Sequence, residues 1–166
     1  MNIETLSTKY RLIRLNESHL DEIFDCCISN PLYYHYCPPI ATHDSIKQDL
    51  VALPPGKTSG DKYFLGFYDQ NQLIAVLDLI LAYPNHEIVF IGFFMVHANR
   101  QKNHVGSFII EELSQAIGKL GYKTIRLAFV EGNPQSEHFW KKNGFLETGI
   151  VKEQERYRVI VVEKKL

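Results

Sequence analysis

The sequence predicts an α/β (α+β) fold: a mixed central sheet of about seven strands flanked by about four helices. Three observations carry this. Several segments alternate apolar and polar residues, as half-buried strands do. Others repeat apolar residues at helical spacing. In the middle of the chain, Glu87 to Val130, a strand, an amphipathic helix and a strand follow one another, which implies a parallel pair joined by a right-handed crossover.

Taken in order, YRLIRL (Tyr10–Leu15) is the first strand. Asn16 and Ser18 can cap the helix that follows, on which Leu20, Ile23, Phe24, Cys27 and Ile28 recur at helical spacing. The dipeptides Asn30-Pro31 and Pro38-Pro39 break the chain. Thr42, His43 and Asp44 open a second helix that runs to about Ala52. KYFLGFYD and QLIAVLDLILAY flank the polar turn QNQ and form an antiparallel hairpin. EIVFIGFFMVH is apolar on both faces, so it belongs at the centre of the sheet with both sides covered. The next helix carries Val105, Ile109, Leu113, Ala116, Ile117 and Leu120 on one stripe, and Gly121 stops it. KTIRLAFV is a strand. NPQSEHFWKKNGF is a short helix with Asn133 as cap, Pro134 at its first position and Gly144 at its end. FLETGIV and RYRVIVVEK are the last two strands. With no repeat, low-complexity tract or linker, residues 1–166 are expected to form a single domain.

Composition excludes several classes. The chain is 45% hydrophobic and 22% charged, which argues against disorder. A net charge of -1 gives no global field for nucleic acid or an anionic membrane. The N-terminus lacks a signal-like apolar run, and the longest apolar stretch, Ile88 to Val96, is far short of the roughly 20 residues that span a bilayer. A cytoplasmic protein is expected. The three cysteines, Cys26, Cys27 and Cys37, are bunched and odd in number, so they form no disulfide framework. With no C-x-x-C or H-x-x-x-H pair, no metal site is expected, and the thiols are read as small core residues.

The loop His97–His104, HANRQKNH, has no acid and carries Arg100 and Lys102. It leads straight into a helix, whose first amides lack intrahelical acceptors and favour an anion. Gly106 lets a ligand or a neighbouring backbone approach. Neither G-x-G-x-x-G nor G-x-x-x-x-G-K-[ST] is present, which argues against a dinucleotide or P-loop domain.

QKNHVG, then a helix, a strand and GNPQSEHFWKKNGF, in that order, resembles the GNAT N-acetyltransferase superfamily. Gln101, His104 and Gly106 occupy the marked positions of its Q/R-x-x-G-x-G/A loop. Asn133, Ser136, Trp140, Gly144 and Phe145 occupy those of its second motif. The resemblance implies an acetyl-CoA-dependent N-acetyltransferase acting by direct attack of a primary amine, carried by a small molecule or a peptide. It implies that Met95 and Val96 meet the pantetheine arm. It also implies that the loop Gln101, Lys102, Asn103, His104, Val105, Gly106 and Ser107 holds the pyrophosphate. Asn133 either helps place the cofactor or simply caps its helix, and Trp140 is either a wall beside the thiol or core. A homodimer is left open.

Two positions depart from the family pattern. His104 stands where glycine is usual, and its Cβ restricts the local backbone. Trp140 stands where many relatives place the tyrosine acid, and an indole N–H is no practical acid. These departures support an alternative, a catalytically silent CoA-binding sensor or partner module. The reaction needs a base or water relay and a donor for the oxyanion. The candidate bases are Glu87, at the start of the central strand, and Asp78, a carboxylate inside an apolar run that needs a partner or a polar cleft. His97 is a further candidate. Glu17, Asp21, Glu22 and Asp25 on the first helix could attract a cationic amine or form a solvated face. YYHYC (Tyr33–Cys37) could line an acceptor pocket or close the core.

Overall fold

The computed structural model describes residues 1–166. Seven strands form one sheet: β1 (Arg11–Arg14), β2 (Lys62–Asp69), β3 (Gln72–Ile80), β4 (Ile88–Val96), β5 (Thr124–Val130), β6 (Leu146–Glu153) and β7 (Arg158–Lys165), in the order β1-β2-β3-β4-β5-β7-β6. Five helices cover it: α1 (Leu20–Ile28), α2 (Pro31–Tyr36), α3 (His43–Val51), α4 (Val105–Lys119) and α5 (Pro134–Lys142). The β4–β5 pair is parallel, and every other pairing is antiparallel.

The helix count exceeds the sequence reading by one, α2. Asn30-Pro31 looks like a chain break, but Pro31 occupies the first position of the helix, where its missing N–H costs nothing. Six residues are also too few for a helical period to emerge.

The central strands are buried on both faces, as their apolar composition requires. One face packs Leu65, Phe67, Leu77 and Ile91 against Ile109, Ile110, Leu113 and Ile117 of α4. The other packs Phe64, Val76 and Met95 against Ile23, Cys26 and Cys27 of α1 and Ile46 of α3. Capping fixes where the helices begin: Thr42 and Ser45 form a reciprocal capping box at α3, and Asn133 accepts from the amides of Gln135 and Ser136 at α5. Gly121, with φ +94°, takes the left-handed turn that ends α4.

An ion pair lies within the second face. Lys62 Nζ sits 2.7 Å from Asp78 Oδ1, with side chains 5% and 13% exposed. Neither buried atom has a further hydrogen-bond partner. Burial pushes the Asp78 carboxyl up, Lys62 pulls it back, and nearby Asp49 pushes it up again. Removing one member strands the other's charge. Lys62→Met should therefore cost about 3–5 kcal/mol in urea unfolding. Lys62→Met with Asp78→Leu should cost much less than the two single losses added; additive losses would show that the pair is not coupled.

Candidate active site

The site exists because β4 and β5 part company. They pair only from Ile88↔Thr124 to Ile91↔Leu127. On its other side, β4 pairs Phe93 with Asp78 and Ile91 with Leu79, leaving Gly92 as a bulge. A bulge bends and twists its strand. Gly92 tolerates it because it has no side chain: a Cβ there would lie 2.5 Å from Asp78 Oδ2. Beyond Ile91 the β4 edge, Phe93 to Val96, has no partner in β5, and two cavities open there.

The first cavity, about 390 Å³, is a groove between the end of β4, the start of α4 and α5. It holds Lys102, His104, His138 and Lys142 but no aspartate or glutamate. The helix that opens onto it, α4, has no side-chain N-cap bond and no acid in its first turn. Its leading amides are therefore open donors at the positive end of the helix dipole. An extended anion such as a pyrophosphate fits this donor set.

The loop reaches this shape under strain. Lys102 and His104 both take positive φ, 65° and 59°. His104 thus adopts the left-handed conformation that suits glycine, and its side chain is accommodated rather than excluded. Gly106 is needed for packing: a Cβ would meet the Phe139 ring at 3.0 Å and Val96 Cγ2 at 3.3 Å. Gln101 is a structural tie. Its Nε2 donates to Asn30 Oδ1 and to the Val96 carbonyl, the latter at 2.9 Å, and its Oε1 accepts from Gln135 at 3.4 Å. Asn30 also donates to the Val96 carbonyl, at 3.2 Å.

The second cavity, about 330 Å³, lies in the gap between β4 and β5 and runs to the β6–β7 hairpin. It is walled largely by apolar and aromatic groups and meets the first cavity at Tyr33, Phe94, Ser136 and Trp140. Its polar groups include the Tyr33 phenol, the Cys37 thiol, the Tyr157 phenol and the Gln154 amide. Burial pushes Tyr33 well above its usual range. Contact with the Cys37 thiol, then burial, pushes Tyr157 up to about 12.

The sequence-predicted residues divide clearly. Met95, Val96, Gln101, Lys102, His104, Val105, Gly106, Ser107 and Trp140 line the groove; Asn103 does not. Asn133 lines the second cavity, 2% exposed, with its carbonyl spent as the α5 cap. Trp140 lines both cavities and is also core, 7% exposed and packed 4.9 Å from Phe139 and 5.0 Å from Phe145. The structure does not bring the two candidate bases to the cavities. Glu87 is an exposed turn residue before β4, at the opposite end of the strand from Met95 and Val96, roughly 25 Å away by strand rise. Asp78 lines neither cavity; it lies behind Gly92 and faces Lys62. His97 points to Asp25 at 3.3 Å. The α1 acids are engaged: Asp21 with His43, Glu22 with Tyr68 and Asp25 with His97.

Sequence reasoning misses His138, Phe139 and Lys142, which helical spacing from the Asn133 cap could have placed beside Trp140. No group of three His, Cys, Asp or Glu side chains is positioned to hold a metal ion, and no helix is long and apolar enough to cross a membrane.

Comparison with known proteins follows the same lines. The family model described as the acetyltransferase (GNAT) family matches residues 21–145. No curated protein sequence matches the chain. Among solved structures, an acetyltransferase from Thermus thermophilus superposes with a TM-score of 0.75 at 15% identity, covering 95% of this chain and 97% of that one. The PaiA N-acetyltransferase from Thermoplasma acidophilum, in complex with coenzyme A, gives 0.69 at 16% identity, covering 95% and 99%. A Salmonella typhimurium acetyltransferase that modifies the N-terminal serine of a 50S ribosomal subunit protein gives 0.74 at 15% identity, covering 97% of each chain.

His104→Gly should release the left-handed penalty of about 1–2 kcal/mol, less glycine's extra unfolded-state entropy of about 0.5–1 kcal/mol. The net gain, up to about 1.5 kcal/mol, should appear in urea unfolding. A loss would mean that the His104 side chain contributes more contact than strain.

Proposed function

Because the chain belongs to the acetyltransferase (GNAT) family, we propose that it is an N-acetyltransferase that takes its acetyl group from acetyl-CoA and delivers it to a primary amine by direct attack. One observation carries the reading: an acid-free, cationic groove at open helix amides abuts a second, apolar cavity, and the two meet at four residues.

The residues present fit the cofactor. Lys102, His104 and Lys142, with the amides of Val105, Gly106 and Ser107, would hold the pyrophosphate. The unpaired edge of β4 at Phe94 and Val96 would align the pantetheine arm, with the Met95 side chain lining the groove. The Val96 carbonyl already accepts from Asn30 and Gln101, so Val96 would contribute its amide and side chain. When bound, acetyl-CoA supplies an acyl thioester whose thiolate, with a pKa of about 8.5 like cysteine, is a tolerable leaving group. Phe94, Phe139 and Trp140 would pack beside the thioester. Trp140 has no proton to give at neutral pH, so it would leave protonation of the thiolate to solvent. Glu87 and Asp78 line neither cavity, so this reading gives neither a role.

A catalytically silent CoA-binding module is the second reading, favoured by the indole at Trp140. Thiol release with any acceptor excludes it.

Acetyl-CoA and CoA should raise the thermal midpoint; at about 100 times the dissociation constant the stabilisation is about 2.7 kcal/mol. Lys102→Glu with Lys142→Glu should abolish most of it. ATP and NAD should have little effect, and equal shifts with all four ligands would sink the cofactor assignment.

A further inference from the structure

The second cavity says what kind of acceptor suits this site, an inference that rests on the reading just given. Its lining includes Phe90, Phe93 and Phe129 with Tyr33, Cys37 and Tyr157 as polar groups. No aspartate, glutamate, lysine, arginine or histidine is among its lining residues. The groups there that could titrate are Tyr33 and Cys37, from α2 and its end, and Tyr157, from the β6–β7 hairpin. Both phenols are held above their ordinary range and stay protonated at neutral pH. The one carboxylate directly behind Gly92, Asp78, is already paired with Lys62. The α1 acids Asp21, Glu22 and Asp25 lie outside this cavity, in contact with His43, Tyr68 and His97.

We infer that the acceptor is a small primary amine on an apolar, aromatic body with no second charge, and that desolvation, not a side-chain base, removes its proton. An ammonium entering a cavity with no counter-ion bears the full cost of leaving water, so the neutral amine is the species that binds. That is also the species with a free lone pair. A second charge, an ammonium or a peptide's terminal carboxylate, would bring the same cost with no counter-ion to offset it. At about 330 Å³ the cavity lies near the lower end of small-ligand sites, with a few polar groups left to orient the guest. The amine nitrogen forms a bond to the acetyl carbon as the carbon–sulfur bond breaks. The bonding pair leaves with sulfur, and one N–H proton passes to water, which protonates the sulfur. The absent base among the cavity's residues is then a feature of the chemistry.

The test compares phenethylamine and tyramine with spermidine and a serine-initiated tetrapeptide, reading thiol release, with acetyl-CoA binding measured by calorimetry on the same preparation. The aromatic monoamines should exceed spermidine and the peptide in kcat/KM by about a hundredfold or more. Faster turnover of spermidine or the peptide overturns the inference while leaving the cofactor site standing, as does acetyl-CoA binding with no amine acetylated. Absence of acetyl-CoA binding overturns the cofactor reading and this inference with it. Tyr157→Glu, in the hairpin rather than the core, should shift the ratio toward spermidine by about tenfold; an unchanged ratio counts against the cavity as the acceptor site. Benzylamine and a nitro-substituted benzylamine supply a second readout. The pH dependence of kcat/KM should move with the amine's own pKa, whereas a profile fixed at one pH for both reveals an enzyme base and overturns the mechanism.

Discussion

Four pairs of residues, Ile88 with Thr124 through Ile91 with Leu127, join β1–β4 to β5–β7 in the sheet. Backbone pairing is obligatory in a buried sheet, because unmet amides and carbonyls are costly. Ending it after four residues therefore requires another use for the exposed edge. The bulge at Gly92 sets the point of departure, and Asp78 behind it leaves no room for any larger residue. Both cavities of the candidate site lie beside that divergence. The strands separate, α4 and α5 close one side of the gap, and α2 with the β6–β7 hairpin closes the other.

The two halves of the gap differ in electrical character, one cationic and one neutral, and each is built from local sequence. Charge in the first comes from Lys102, in a loop that lacks acids, from the open amides at the start of α4, and from Lys142 just past the aromatic ladder. Neutrality in the second comes from apolar strand residues whose alternation has been disturbed by the bulge. Ile91 and Phe93, two positions apart, pack on opposite sides of the sheet. The Phe94–Phe139–Trp140–Phe145 series, with neighbouring rings 4.9–5.9 Å apart, separates the two environments with a hydrophobic wall. Offset and edge-to-face packing of this kind holds ring orientation as well as burying area.

Much of this is legible in the sequence because it is local. The loop Gln101–Ser107, the Asn133 cap and the strand limits near the cleft all depend on neighbours within a few residues. What the sequence hides is nonlocal. Asp78 can be recognised as needing a partner, but nothing near it in sequence identifies Lys62, which lies across the hairpin. Glu87 is attractive as a carboxylate on the right strand, yet it stands at the end far from the loop that leads into α4. Gly106 reads as room for a ligand, whereas Phe139, thirty-three positions later, takes up the space. Helix α2 is masked by its proline and its brevity, and with it the placing of Tyr33 where the cavities meet.

The Gln101 side chain joins three separate pieces of chain: Asn30 ahead of α2, the Val96 carbonyl at the end of β4 and Gln135 in α5. It belongs to the loop that leads into α4, while Asn30 anchors the helix that carries Tyr33 and leads to Cys37. Any guest that orders the loop thereby also fixes the far wall of the neighbouring chamber. Thermodynamic linkage makes such a connection mutual: a first ligand that stiffens the tie lowers the second ligand's ordering cost. The architecture therefore couples the two cavities, so that a guest in the groove and a guest in the chamber favour one another's binding.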